Sequence, residues 1–594
     1  MLRFRHYSLL AALAGMLAAC GGESSQGVTD APPVDNHFAD LVLIGGSIAT
    51  ADPAIGNVNA LAVEGYRIAA VGSDDEISTY IGPDTEVIQL DGRFVMPGFI
   101  EGHGHFLSLG ESLRILDLSA VRDWDEVVRM VAVAADKAQP GQWLTGRGWH
   151  QDKWDSVPDD AVEGVPVNGS LSAVSPDNPV RLTHASGHAY FVNDAALDAA
   201  GIDAGTPDPR GGTIVRDADG EATGMLRETA RDLVDAAERR YSASLSAAER
   251  EALDRERVRL AGERALMFGV TSFQDAGERT RNFVDDIEFL KMLEAKGELP
   301  VRLYMMERGV PVEMLDEALP VLKMLPQDND FLTVRSIKKQ IDGALGSHGA
   351  WLLEPYDDLP GSDGLVLETV EDIEATAELA VRHGYQLNVH AIGDRAVREV
   401  LDLYERVWDR MEVDGSKLRW RIEHAQHIQP EDVPRFGELG VIASVQAVHG
   451  TSDGPWIPKR LGDERAAVTS QPWRDLIRTG AVVTNGTDVP VERISPIASY
   501  YSSVSRMMVN GERFYPEHVM TREEALKAYT INNAYAAFEE GLKGSLTPGK
   551  YADFVVLSQN LLTVAEERIP ETEVEMTFVG GELRYRSDKA LAAR

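Results

Sequence analysis

The chain has 594 residues, longer than a single-domain protein usually runs, and 44% of them are hydrophobic, enough for a large core and at least one smaller unit. Its 95 acidic against 58 basic residues leave a formal charge of −37, which argues against a nucleic-acid-binding surface and says nothing of the substrate. Cys20 is the single cysteine, so the rest of the chain has no disulfide and no thiolate metal ligand, and any metal must be held by His, carboxylate or modified Lys.

Residues 1–20 carry a message of their own. Arg3 and Arg5 form a basic start, residues 9–17 an apolar run too short for a stable membrane span, and Leu17-Ala18-Ala19-Cys20 closes it. This is similar to the signal peptide and lipobox of bacterial lipoprotein precursors, in which the cysteine is lipidated and becomes the mature N-terminus. The expectation is an exported protein, anchored by lipid on Cys20 to a bacterial membrane on its periplasmic or outer-surface side. Residues 21–37, rich in Gly, Ser, Pro and Asp, read as a flexible tether.

From residue 38 come short strands punctuated by glycine, LVLIGGSIAT, NALAVEGYRIAAVG and TEVIQLDGRFVMPG, with a counterpart at the other end of the chain in GKYADFVVLSQN and MTFVGGELRY. Two-stranded units are marginal alone, so 38–96 and 541–588 are predicted to form one small β-sandwich domain. Between these ends, strand and helix patterns alternate. Strands are predicted at 94–105, 269–277, 301–306, 336–343, 385–394, 421–426, 441–449 and 482–490, and helices at 370–383, 395–410 and 522–538. Eight β-then-α units predict an α/β fold, a (β/α)8 TIM barrel over 97–540, with a doubly wound open sheet as the alternative. About 160 residues separate the first two strands, too many for a loop. An inserted subdomain at about 108–262 is expected, overhanging the catalytic face as a lid or substrate-binding wall.

The chemistry-bearing residues fall at the strand ends. In FVMPGFIEGHGH (94–105), alternation points His103 and His105 the same way, a ready pair of metal ligands. His390, His424 and Asp488 close strands five, six and eight, His449 closes strand seven, and Lys338 lies in strand four on one face with Gln340 and Asp342. A bare His-x-His arises by chance, and a lone inward histidine is more often structural. Four histidines, an aspartate and a lysine gathered at the catalytic end of a barrel make chance a poor account.

These pieces resemble the amidohydrolase superfamily, most closely amidohydrolase family 3, the group that includes N-substituted formamide deformylases. The resemblance spans roughly 40–585 and is carried by PGFIEGHGH, GHAYFVNDAAL, GVTSFQDAG, IKKQIDGALGSHGA, HAIGDRAV, RIEHAQ, GTDVPV and LTPGKYADFVVL. It implies one divalent metal, zinc as the expected ion, on His103, His105 and Asp488, and a second on His390 and His424, bridged by a carboxylated Lys338. An ion pair of Lys338 with Asp342 or another acid would leave a single-metal site instead, and the neighbouring Lys339 leaves the choice of lysine open. The implied reaction is hydrolysis of a carbon–nitrogen bond other than a peptide bond (amide, N-formyl or cyclic amide) by a metal-activated water, with Asp488 as the catalytic proton carrier. His184 and His188 are candidate oxyanion donors, and Asp342 and His449 further substrate contacts. Trp149, Trp154 and Tyr190 form either a pocket wall or the insert's own core. Glu101, Ser186 and Ala447 depart from the family's usual residues. The partner is a small-molecule substrate, and an oligomer is compatible with the sequence. The same site could serve an esterase, lactonase or phosphoesterase, and a lipid-anchored binding protein without turnover is the alternative from another class.

Overall fold

The computed structural model describes residues 38–588 except 152, 153, 157, 185–188, 211 and 278–282. The segments expected to form a signal peptide (1–20) and a tether (21–37), and with them Cys20, lie outside the described residues, as does His188.

The barrel expected from the sequence is the fold. Eight strands, Phe99–Gly104, Val270–Asp275, Arg302–Glu307, Leu332–Gln340, Gln386–Ala391, Arg421–His424, Ile442–Val445 and Val483–Asn485, form one sheet in chain order. Every pairing along it is parallel. Helices cover its outer face, so most strands are buried along their whole length, as central parallel strands are. Strands one and eight meet through the segments just beyond them: the Asp488 amide donates to the His103 carbonyl and the His105 amide to the Val489 carbonyl, both at 2.8 Å. Asn533 adds a side-chain clasp, donating to the carbonyls of Ile100 (2.7 Å) and Asn485 (2.9 Å).

The helices form where the sequence directs them. Val370–His383 starts on Thr369, whose hydroxyl accepts from the Asp372 amide, and stops at Gly384, whose φ of 66° suits glycine. Asp394–Met411 buries Val397, Val400, Leu401, Tyr404, Val407 and Trp408 along one stripe. The predicted helix 522–538 instead breaks at Thr530 into Arg522–Ala528 and Ile531–Ala536. That break carries the clasping Asn533.

The stretch 94–105 is not one strand. Phe94–Pro97 pairs with Ser47–Ala49 and Phe554–Leu557 in an end sheet, and Phe99–Gly104 belongs to the barrel. The change of sheet falls at Gly98, where a Cβ would lie 2.3 Å from the Thr271 side chain. Strands seven and eight also end sooner than the pattern suggests: residues 447–452 are helical, so His449 sits on a turn of helix past strand seven, and Asp488 lies three residues past strand eight.

Two end sheets, one of four strands and one of six, pack face to face through Leu43, Leu61, Ile88, Val95, Phe554 and Phe578, so residues from both chain ends share one core. A buried ion pair ties this unit to the barrel. Arg302, the first residue of strand three, donates to Asp553 at 2.7 and 3.1 Å and lies over the Tyr551 ring.

Between strands one and two lies a separate six-stranded sheet running from Leu116 to Glu228. It is narrower than the expected 108–262, because Phe106–Arg114 and Ala247–Met267 pack on each other against the barrel. Gly110 permits their close crossing, since a Cβ there would be 2.1 Å from the Arg257 carbonyl. The insert faces the segment after strand eight across a cleft of about 870 Å³ lined by Asp117, Arg147, Gly148, Val489, Arg493 and Ile494.

Candidate active site

Strand ends bring His103, His105, Lys338, His390, His424 and Asp488 into one buried cluster. His103, His424 and Asp488 place one ligand atom each within 4.8 Å of one another. The His424 ring lies 4.3 Å from His390 and 4.7 Å from His103, centroid to centroid. Asp488 Oδ1 is 3.2 Å from His105 Nε2 and 3.6 Å from His103 Nε2.

Local backbone does what alternation alone could not. Ile422 packs into the outer apolar core, so strict alternation turns Glu423 inward and His424 outward. His424 and Ala425 take left-handed φ values of 75° and 44°, which swing the His424 ring back to the interior, and Asp488 is left-handed too, at 58°. Such residues cost of order 1–3 kcal/mol each and persist where surrounding contacts fix them.

Three rings are held from behind. His103 Nδ1 lies 2.5 Å from Glu423 Oε2, His105 Nδ1 2.8 Å from the Gly277 carbonyl, and His424 Nδ1 2.7 Å from Gln446 Oε1. Carboxylate, carbonyl and amide oxygens accept, so the Nδ1 atoms carry the protons and the Nε2 lone pairs face the centre. This is the arrangement by which acceptors set a ligating histidine's tautomer. Burial, then neighbouring charge, keeps His103, His390 and His424 below the ordinary histidine range. Burial opposes charge on Asp488, but the His105 hydrogen bond and the surrounding rings hold its carboxyl well below the usual range. Burial likewise opposes charge on His105, and Asp488 outweighs it, so a proton between Nε2 and Oδ1 takes the place a cation would take. Buried lone pairs and one ionised carboxylate converging on a point fit a divalent metal, and imidazole nitrogens with carboxylate oxygen suit zinc.

Lys338 and not Lys339 faces this centre. Lys338 Nζ is 3.3 Å from His103 Nε2, whereas Lys339 turns away to Glu368 at 3.4 Å. Burial lowers the Lys338 amine to about 8, and no ion pair to it is found among the described residues.

Other predicted residues are placed differently. Asp342, expected to touch substrate, is fully buried and takes backbone N–H bonds from Trp351, Ile392 and Gly393 at 2.8–3.0 Å. It braces the ends of strands four and five beneath His390, whose Nε2 is 3.5 Å away. Trp149 is not a pocket wall: it is wholly buried in the insert's core with Trp124, Trp154 and Phe191, its N–H donating to the Leu182 carbonyl. Tyr190 belongs to a second apolar cluster of the insert. His184 ends an insert strand with its ring against Trp149 and His150. His449 does reach the centre: its ring lies parallel to His424 at 6.2 Å, and its buried Nε2 has no protein hydrogen-bond partner among the described residues.

Residues 86–585 match the profile of the amidohydrolase family. The chain belongs to the amidohydrolase family. This amidohydrolase is 34% identical over 562 residues to Protein LONG AFTER FAR-RED 3 of Arabidopsis thaliana, covering 93% of each chain. It is 29% identical over 556 residues to the N-substituted formamide deformylase of Arthrobacter pascens, covering 92% of this chain and 99% of that one. Its fold matches an uncharacterized metal-dependent hydrolase from Pyrococcus furiosus with a TM-score of 0.70 and 28% identity, covering 88% of this chain and all of that one. The amidohydrolase is thus an enzyme, a metal-dependent hydrolase of carbon–nitrogen bonds.

The residues behind the three histidine rings leave little signal in the sequence. Glu423 sits in RIEHAQ at an inward position by alternation from Arg421, a signal hidden by the adjacent histidine. Gln446 and the Gly277 carbonyl carry no such signal. Glu101, noted only as a departure from the family, accepts from the amide and hydroxyl of Thr487 at 2.5 and 3.1 Å and so ties strand one to the residue before Asp488.

Proposed function

We propose that this amidohydrolase hydrolyses N-acyl bonds of small, non-peptide amides, N-formyl amines first among them, using zinc. His103, His105 and Asp488 would hold one ion, and His390 and His424 would hold a second once Lys338 is carboxylated. The observation that carries the reading is the set of Nε2 lone pairs turned inward on Asp488 by acceptors on their Nδ1 sides. The deformylase relative, matched along nearly its whole length, directs it to formyl and short acyl groups. Anchoring by lipid on Cys20, outside the cytoplasm, completes the reading.

Zinc bound at these ligands supplies an activated water and polarises the substrate carbonyl. Asp488, 3.2 Å from His105 Nε2, takes the proton from the attacking water and returns it to the leaving nitrogen. His449 takes the role first given to the insert histidines. Gln426 Nε2 lies 3.3 Å from its Nδ1, which leaves the ring proton on Nε2 to donate to the oxygen of the tetrahedral intermediate. Glu101 and the strand-end backbone bonds keep Asp488 in register with His103.

The test is turnover by metal-depleted protein reloaded with zinc, on matched N-formyl, N-acetyl and cyclic amides beside esters, lactones and phosphoesters. Zinc-dependent cleavage of the amides, fastest for N-formyl compounds, is expected. Cleavage of esters or lactones with every amide untouched would replace this reading, as would full activity without metal.

A further inference from the structure

Beneath the ligands the barrel is not filled with the apolar layers usual in this fold. Arg421 is wholly buried inside it, donating to Gln274 Oε1 at 2.6 Å and to the Ala536 carbonyl at 2.8 Å. Gln274 in turn donates to the Asn533 carbonyl at 2.8 Å, and the Tyr304 hydroxyl to Gln386 at 3.1 Å. Burying a guanidinium in this way is costly unless charge is returned nearby.

Glu423 stands between this polar floor and the ligands. Two residues beyond Arg421 on strand six, it shares the same inward face, and it is wholly buried. Its two oxygens have different neighbours: Oε2 accepts from His103 Nδ1 at 2.5 Å, while Oε1 has no hydrogen-bond partner among the described residues and lies 3.9 Å from Arg421 Nη1. Strand six thus contributes His424 from its end and, one residue earlier, the group that orients the strand-one ligand His103 across the barrel. Of the three acceptors behind the histidines, Glu423 is the charged one. The other two are a backbone carbonyl and a side-chain amide, neither of which can strengthen the donor power of its imidazole as a carboxylate does.

We infer that Glu423 is a positioning residue for the metal centre: braced by Arg421, it fixes His103 with its Nε2 lone pair toward the ion and strengthens that ring as a donor. The inference rests on the reading of His103 as a ligand. Outer carboxylates of this kind are worth about 10–100-fold in metal affinity.

The experiment is a double-mutant cycle on zinc affinity, with chelator competition for tight binding and equilibrium dialysis extending into the millimolar range. Glu423→Gln keeps the size and an acceptor oxygen but removes the charge, and Glu423→Ala removes both. In the wild-type background, weakening of about 10-fold for the amide and up to about 100-fold for Ala is expected. In a His103→Ala background the same changes should cost less than about twofold, because the residue acts through His103. Equal losses in both backgrounds, or affinities within twofold of wild type, would overturn the assignment. If Glu423→Ala does not fold, the isosteric Gln variant decides alone. Wild type that binds no zinc would instead remove the metal-site reading itself.

Discussion

Replacing Lys338 by Met separates what this side chain costs the fold from what it gives the enzyme. The Lys338 amine is buried among His103, Glu423 and Asp488, and burial outweighs those carboxylates, pulling it from its ordinary 10.5 to about 8. At about 1.4 kcal/mol per pH unit, keeping it charged costs the metal-free protein about 3 kcal/mol below pH 8. The sign follows from proton binding: between about 8 and 10.5 the unfolded chain holds a proton that the folded chain has released, so this penalty fades as pH rises through that window. Methionine of similar length removes it. Metal-free Lys338→Met, prepared without carbon dioxide, should therefore melt several degrees above wild type at pH 7, with the gap closing by pH 10.5. Once zinc is restored the variant should hold one ion where wild type holds two, lose most turnover, and recover part of it with added short-chain carboxylate. Thermal scans, metal analysis and the amide assay read these outcomes. A metal-free variant less stable than wild type at pH 7 would refute the burial argument. One ion per wild-type chain with an unmodified Lys338 would refute the bridge and leave a mononuclear hydrolase.

Glu307, at the end of strand three, is buried and pushed up to about 7, against an N–H bond from Val310. It holds its proton in the folded chain between about 4.5 and 7, so stability falls as pH rises through that window. Glu307→Gln should raise the melting temperature by a few degrees at pH 8, a gain of about 2–3 kcal/mol, and change it little near pH 4.5; an equal gain at both would count against the linkage. Cys20→Ser should move the protein from the membrane fraction to the soluble one or block its processing. Unchanged partition, with no lipid label on wild type, would defeat the proposed anchor.

How much could be read in advance follows from the range of each signal. The barrel was legible because parallel strands and their helices leave periodicities within single segments, and His103 and His105 were legible because two residues apart on one strand means one face. The break at Gly98 was not, because what forces it is Thr271, distant in the chain and invisible to a local pattern. Trp149 could have served pocket or core equally well, and only the packing of Trp124 and Phe191 around it places it in the core. His188 and Cys20 lie outside the described residues, so their roles rest on sequence alone.

His424 and Asp488 both reach the site through left-handed backbone. A strand that kept its pleat to the end would present either Glu423 or His424 to the interior, and the site holds both: His424 within the histidine cluster and Glu423 behind His103. The left-handed turn at His424 resolves the conflict, and it is pinned from two directions, by the Ala425 amide on the Ala391 carbonyl at 3.2 Å and by Gln446 on the ring. Asp488 is pinned likewise, its amide on His103 and its neighbour Thr487 on Glu101. These pins join strand six to strands five and seven and strand eight to strand one, so strain at one site residue is borne by contacts that also place another. The ligand positions therefore depend on one another, and the geometry of this centre belongs to the closed barrel and not to any one motif in the chain.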